Sequence, residues 1–150
     1  MLRLAHFSDF HLQNTKTGFR RALALVDQAI KEGADHLVVS GDVVDSQQVK
    51  VVQAFMAELT EHGWGTAKKL SIVPGNHDVF PNLGLRIPAR PTARFEAFFK
   101  VTLSCRVGDG STELISGHPY PFGKVLSRQV VLAGLDTTRN SQNNPQQWAA

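Results

Sequence analysis

The sequence predicts an α/β fold built on parallel strands. Over the first eighty residues short apolar runs alternate with amphipathic helical stretches, and the links between them are short. Strand–helix–strand–helix–strand order with such links implies parallel pairing and right-handed crossovers. Each apolar run also ends in a polar cluster, so in a parallel sheet three polar loops would open on one edge.

The elements follow in chain order. Residues 2–7 read as a strand. Residues 17–32 read as a helix with Phe19, Leu23, Val26 and Ile30 on one face and Gly33 as its stop. Residues 36–40, with Leu37-Val38-Val39, form a buried strand. Residues 46–62 form a second helix with Val49, Val52, Phe55, Met56 and Leu59 on its apolar stripe, and Asp45 can cap it with Gln48 three residues on. Residues 70–73 form the third strand. Beyond Asp78 the texture changes. Residues 79–91 hold Pro81, Pro88, Pro91 and Gly84 and read as a loop, and residues 92–100 as a short helix packing Phe95, Phe98 and Phe99. Residues 113–116 and 129–135 read as antiparallel or mixed strands, and residues 140–147 are polar and poor in core residues. No linker divides the chain, so residues 1–150 form one domain.

A hydrophobic fraction of 42% is ordinary for a globular protein, and disorder is not the default. The one cysteine, Cys105, excludes a disulfide framework and a cysteine-built zinc site. The chain opens without a basic stretch followed by a long apolar run, and no window reaches the apolar length of a membrane span. A soluble protein of the reducing cytoplasm is the expectation. Residues 1–80 hold eight Lys/Arg against nine Asp/Glu, whereas residues 81–150 hold eight against four. The basic second half suits a phosphorylated substrate, and scattered solvated arginines explain it as well.

The three polar clusters are Ser8-Asp9-Phe10-His11, Gly41-Asp42-Val43-Val44-Asp45 and Pro74-Gly75-Asn76-His77-Asp78. Their convergence would gather Asp9, His11, Asp42, Asn76 and His77. Carboxylates, imidazoles and an amide oxygen make a mixed nitrogen and oxygen donor set, suited to Mn, Fe or Zn. A carboxylate shared by two metals about 3.5–4 Å apart is the usual way to hold a bridging hydroxide, which is nucleophilic at neutral pH. Taken singly each cluster has a plain reading: Asp-x-His occurs by chance, Gly-Asp after a strand is a common turn, and Gly-Asn-His-Asp makes a tight turn. Three of them in order, each after a strand and one βα unit apart, are specific.

In these motifs the chain resembles the calcineurin-like metallophosphoesterases, whose pattern is D-x-H, then G-D-x-x-D, then G-N-H-D/E. With Val131-Leu132-Ala133-Gly134-Leu135-Asp136-Thr137 as a later strand, it is most similar to the bacterial class III cyclic-nucleotide phosphodiesterase-like members. The resemblance implies a metal-dependent phosphoesterase, cleaving phosphodiesters with two divalent ions, on a four-layer α/β/β/α sandwich of which this chain supplies the N-terminal part. It implies that Asp9 and His11 bind the first metal, that Asp42 bridges both and that Asn76 binds the second. It places His77 beside the phosphate, with Asp45 orienting its other ring nitrogen; the helix cap is the competing role for Asp45. The family completes its site with a histidine in an H-x-P-like loop and a later G-H-x-H. No G-H-x-H occurs in these 150 residues. The expectation is therefore a C-terminally truncated domain with an incomplete second metal site, completed by a complementary C-terminal segment or a second copy.

Other histidines read as structural. His6 lies in a strand, His36 opens one far from the loops, His62 closes a helix where the dipole favours a cation, and His118 in Gly-His-Pro precedes the last strand instead of following it. Trp64, Phe55 and the Phe95–Phe98–Phe99 group read as core, and Arg86, Arg90 and Arg94 as surface residues broken up by prolines. Two rival functions stand beside the phosphodiesterase. One is a nuclease of the Mre11/SbcD kind, for which no basic stripe is evident. The other is an inert half-domain, which should expose apolar surface. A dinucleotide-binding fold lacks its Gly-x-Gly-x-x-Gly after the first strand.

Overall fold

The computed structural model describes residues 1–13, 16–45, 48–79, 97–98, 100–102, 112–114 and 120–135. Three short strands, β1 (Leu4–Phe7), β2 (His36–Ser40) and β3 (Leu70–Val73), form a parallel sheet in the order β1-β2-β3. The registers Phe7↔Val39 and Val39↔Ile72 bring the C-terminal ends of all three to one edge. Helices α1 (Lys16–Lys31) and α2 (Val49–Glu61) are the crossovers, as their 3.6-residue apolar spacing predicts. The Phe19 and Phe55 rings meet edge to face at 6.2 Å, so the two helices lie side by side on the same face of the sheet.

The core follows the predicted stripes in part. Val26 of α1 and Val52, Phe55, Met56 and Leu59 of α2 are buried against Leu37, Val39, Leu70 and Ile72 of the strands, together with Ala22 and Val51 from outside the stripes, while Phe19, Leu23, Ile30 and Val49 are half-buried. At about 25 cal/mol per Å² of apolar surface, this contact is the main term holding the layers together. Both helices end the same way. Ala34 N–H returns to Ala29 and Gly33 N–H to Ile30; Trp64 N–H returns to Leu59 and Gly63 N–H to Thr60. This double reversal satisfies the last carbonyls of each helix. His62 sits at the end of α2, where its Nδ1–H donates to the Glu58 carbonyl at 2.8 Å. That bond to the carbonyl, more than nearby acidic charges, raises its pKa.

Helix α2 starts at Val49, and Gln48 occupies its N-cap position with no side-chain cap bond. Asp45, considered from sequence as the cap, does not occupy the N-cap position, and its carboxylate lies 3.4 Å from His11 Nδ1. A single helical turn, α3 (Asn76–Val79), follows β3 where a tight turn was expected.

A second, antiparallel sheet runs β4 (Thr112–Leu114), β5 (Phe122–Ser127) and β6 (Val130–Gly134). Strand β5 was not anticipated. Its inward positions are Phe122 and Lys124, both fully buried, while Val125 between the strand's two ends is exposed, which inverts the usual polar–apolar alternation. Lys124 Nζ donates to the Leu70 carbonyl at 2.8 Å, and Tyr120 O–H donates to the Ile72 carbonyl at 3.0 Å. Just before β3 the Lys69 carbonyl serves β2, so the carbonyls of Leu70 and Ile72 point the other way. The second sheet thus satisfies backbone acceptors of the first through two long side chains. All of the predicted loop 79–91 but Val79, which ends α3, most of the 92–100 helix, Arg86, Arg90, Arg94, Phe95, Phe99, Cys105, His118, Asp136, Thr137 and the polar tail lie outside the described residues.

Replacing Tyr120 with Phe removes one such bond and leaves the Ile72 carbonyl in want of it. The expected cost is about 0.5–1.5 kcal/mol of stability. Urea unfolding checks it, and an unchanged midpoint would mean the bond carries no net stability.

Candidate metal centre

The three loops beyond the sheet edge continue to pair after the strands end. Asp9 N–H donates to the Gly41 carbonyl at 3.2 Å, His11 N–H to Asp42 at 3.0 Å, Leu12 N–H to Val43 at 2.9 Å and Asp45 N–H to Leu12 at 3.3 Å. Leu12 and Val44 form an isolated parallel bridge. The β2 and β3 loops meet at two glycines. A Cβ on Gly41 would lie 2.8 Å from the Gly75 Cα, and one on Gly75 would collide with the Asp42 carboxylate. Only residues without side chains allow this approach.

Among the described residues, three other than glycine have positive φ: Asp9 at 56°, His11 at 45° and Asp42 at 51°. All three were singled out from sequence as metal ligands. Left-handed backbone costs an L-residue roughly 1–2 kcal/mol, and such strain clusters at functional sites. Two of the three, His11 and Asp42, bring their side chains together with His77, while Asp9 stays mostly exposed beside His11.

His11, Asp42 and His77 each offer a ligand atom within 4.8 Å of the others. The His11 and His77 rings meet edge to face at 4.8 Å. His77 Nδ1 lies 2.8 Å from the Asp45 backbone carbonyl. A carbonyl only accepts, so Nδ1 carries the proton and the Nε2 lone pair is left for a ligand. The Asp45 carboxylate is 3.9 Å from that same nitrogen and 3.4 Å from His11 Nδ1. From sequence the Asp45 side chain was expected on His77; its backbone makes that bond, and its carboxylate lies closer to His11. On the other side of the ring, His11 Nε2 lies 3.8 Å from Asp9 Oδ1. Asp42 Oδ1 accepts the His77 N–H at 3.0 Å, tying the β2 loop to α3. Asp9 is mostly exposed beside His11, and Asn76 is exposed at the first position of α3.

Among the described residues, the other histidines are structural. His6 Nε2 pairs with Ser40 Oγ at 2.6 Å across β1 and β2. Buried His36 donates from Nδ1 to the Lys68 carbonyl, and its Nε2 sits 2.9 Å from Ser71 Oγ. Asp78 is the residue to which sequence reasoning gave no role. It is buried, with Oδ1 accepting the Val44 N–H at 3.1 Å and Oδ2 the Gly75 N–H at 2.8 Å. Burial pushes its pKa up to about 6, against these N–H donors, which favour the anion. An acidic residue closing a Gly-Asn-His-Asp turn at an otherwise buried position was the signal available.

The His77 Nε2, the His11 ring and the Asp42 carboxylate, with the Asp9 carboxylate beside them, make a mixed nitrogen and oxygen donor set that a divalent metal ion would fit. The profile of the calcineurin-like phosphoesterase family matches residues 2–149. The chain belongs to this family of metal-dependent hydrolases, whose substrates are phosphate esters. No curated protein matched the chain. No described helix is long and apolar enough to cross a membrane.

Two outcomes are expected of the metal-free protein. Asp9→Gly should be more stable than Asp9→Ala by about 1 kcal/mol, because alanine meets the left-handed backbone with no local side-chain hydrogen bond; thermal melts compare them, and the reverse order would mean φ is relaxed in solution. Asp78 has a folded pKa of about 6 against an ordinary 3.8. Its contribution is therefore fully present below the lower value and lost as pH rises through the upper one. Relative to Asp78→Asn, the wild type should lose stability between those pH values, by about 1.4 kcal/mol for each tenfold difference in proton affinity between the folded and unfolded chain. Chemical unfolding across that range measures it, and a flat difference would contradict the raised pKa.

Proposed function

We propose that the protein hydrolyses phosphodiesters, with a cyclic nucleotide as the substrate class, in the reducing cytoplasm that its single cysteine fits. The observation that carries this reading is the convergence of His11, Asp42 and His77 at the sheet edge of a chain that belongs to a phosphoesterase family. Divalent ions bound there supply an activated water and neutralise charge on the phosphate oxygens.

The chain's own groups would act as follows. Asp9 and His11 hold the first ion. Asp42, in the β2 loop, would be shared by both ions, with its Oδ1 receiving the His77 N–H. Asn76, at the start of α3, would offer its amide oxygen to the second ion. His77, with its proton fixed on Nδ1 by the Asp45 carbonyl, presents Nε2 to the phosphate or its leaving oxygen. In its protonated form that nitrogen donates a proton to the departing oxygen. Asp45 steadies both rings, His77 through its carbonyl and His11 through its carboxylate.

The supply of donors favours a second reading of how the site is completed. Asp9, His11, Asp42 and Asn76 are fewer groups than two ions need, and no Gly-His-x-His is present in these residues. Histidines from a complementary segment, or from a second copy of the chain, would complete the second ion's shell. The nuclease reading shares the metal centre and would show itself as steeply salt-dependent DNA binding.

Asp42→Asn should abolish Mn²⁺-dependent hydrolysis of bis-p-nitrophenyl phosphate and of cyclic nucleotides. His77→Ala should slow turnover by about 10²–10⁴-fold, the usual worth of a general acid, while metal stays bound. Steady-state rates on purified protein, with any complementing segment present, check both; an undiminished rate in Asp42→Asn would sink the assignment.

A further inference from the structure

We propose that Asp78 is a positioning residue for the metal centre, setting the Asp42 carboxylate and the His77 ring by clamping together the loops that carry them. The proposal rests on the reading that Asp42 and His77 serve metal and phosphate. Asp78 itself touches neither.

The geometry runs outward from one buried carboxylate, 2% exposed. Its Oδ1 takes the N–H of Val44, two residues past Asp42 in the β2 loop. Its Oδ2 takes the N–H of Gly75, one residue before Asn76 in the β3 loop. Gly75 is the wall against which the Asp42 carboxylate rests, close enough that any side chain there would strike it. Asp42 Oδ1 in turn receives the His77 N–H at 3.0 Å. Each loop therefore supplies a carboxylate that accepts one N–H of the other, Asp78 also taking the Gly75 N–H of its own loop, and Asp42 is held on three sides: by its own left-handed backbone, by Gly75 and by His77. Releasing Asp78 frees the first link of that chain. The Gly75 wall then moves away from Asp42, and the His77 N–H loses its fixed acceptor.

A carboxylate is the group this position needs. Two N–H donors approach two different oxygens, and an amide of the same size offers only one acceptor and turns an N–H₂ toward the other donor. A residue that only filled space would not require both oxygens.

The test compares wild type with Asp78→Asn, Asp78→Glu and a core control, Leu59→Ala, which lies in α2 away from the loops. Mn²⁺ affinity is measured by calorimetry at a temperature where each protein is folded. The Co²⁺ absorption spectrum reports ligand geometry, and hydrogen exchange of the His77 amide reports the link to Asp42 without any metal. Asp78→Asn should weaken Mn²⁺ binding about 10–100-fold, as loss of a group that orients a ligand does. It should also alter the Co²⁺ spectrum and speed exchange at His77. Asp78→Glu, which keeps both oxygens, should recover part of each loss, and Leu59→Ala should melt lower with metal affinity unchanged. If Asp78→Asn does not fold, Asp78→Glu carries the comparison, with a smaller loss of Mn²⁺ affinity expected. Wild-type affinity and His77 exchange in a variant that merely melts lower would overturn the proposal and leave Asp78 a support of the fold. A folded wild type that binds no Mn²⁺ would instead remove the metal reading, and this inference with it.

Discussion

Backbone N–H and C=O groups at the C-terminal edge of a parallel sheet have to find partners once the strands stop. In this protein the loops supply them to one another. The loop after β1 pairs with the loop after β2 through Asp9, His11 and Leu12, and the loop after β2 meets the loop after β3 through Gly41, Gly75 and the carboxylates of Asp42 and Asp78. Everything at the site depends on this mutual satisfaction. It lets three segments far apart in sequence hold side chains in common registration without a regular element beneath them.

The arrangement works against stability in two places. Asp9, His11 and Asp42 occupy left-handed backbone that glycine would adopt more readily. Asp78 places a carboxylate where burial favours its neutral form. The offset comes from the packed layer of α1 and α2 on the sheet, where Phe55, Leu59, Leu70 and Ile72 are almost entirely shielded from water. Rigid strands and helices absorb the strain of the loops, and the loops convert it into converging donors.

The first half of this architecture was legible from sequence because its signals are strong and local. Period-3.6 stripes on α1 and α2, apolar runs in β2 and β3 and a polar cluster after each strand identify a βαβαβ unit. The D-x-H, G-D-x-x-D and G-N-H-D motifs point to the residues that the structure brings together at His11, Asp42 and His77. What could not be read depends on contacts distant in sequence. Strand β5 escaped because its buried face carries Lys124, whose amine is satisfied by Leu70, a partner 54 residues away. Asp45 suggests a helix cap by spacing alone, yet α2 starts at Val49, and Asp45 divides its carbonyl and carboxylate between two histidines. Asp78 looks like part of a turn until its two backbone donors, one of them 34 residues away, are seen.

The most direct measurement is the number of metal ions held per chain, by elemental analysis after reconstitution with Mn²⁺ and removal of the excess. Loops already organised for metal predict at least one retained ion per folded chain, rising to two when a complementary segment or second copy supplies further histidines. A folded chain that retains no Mn²⁺, with or without such a partner, would contradict the account: the convergence of His11, Asp42 and His77 would then be a feature of loop packing and not of metal binding.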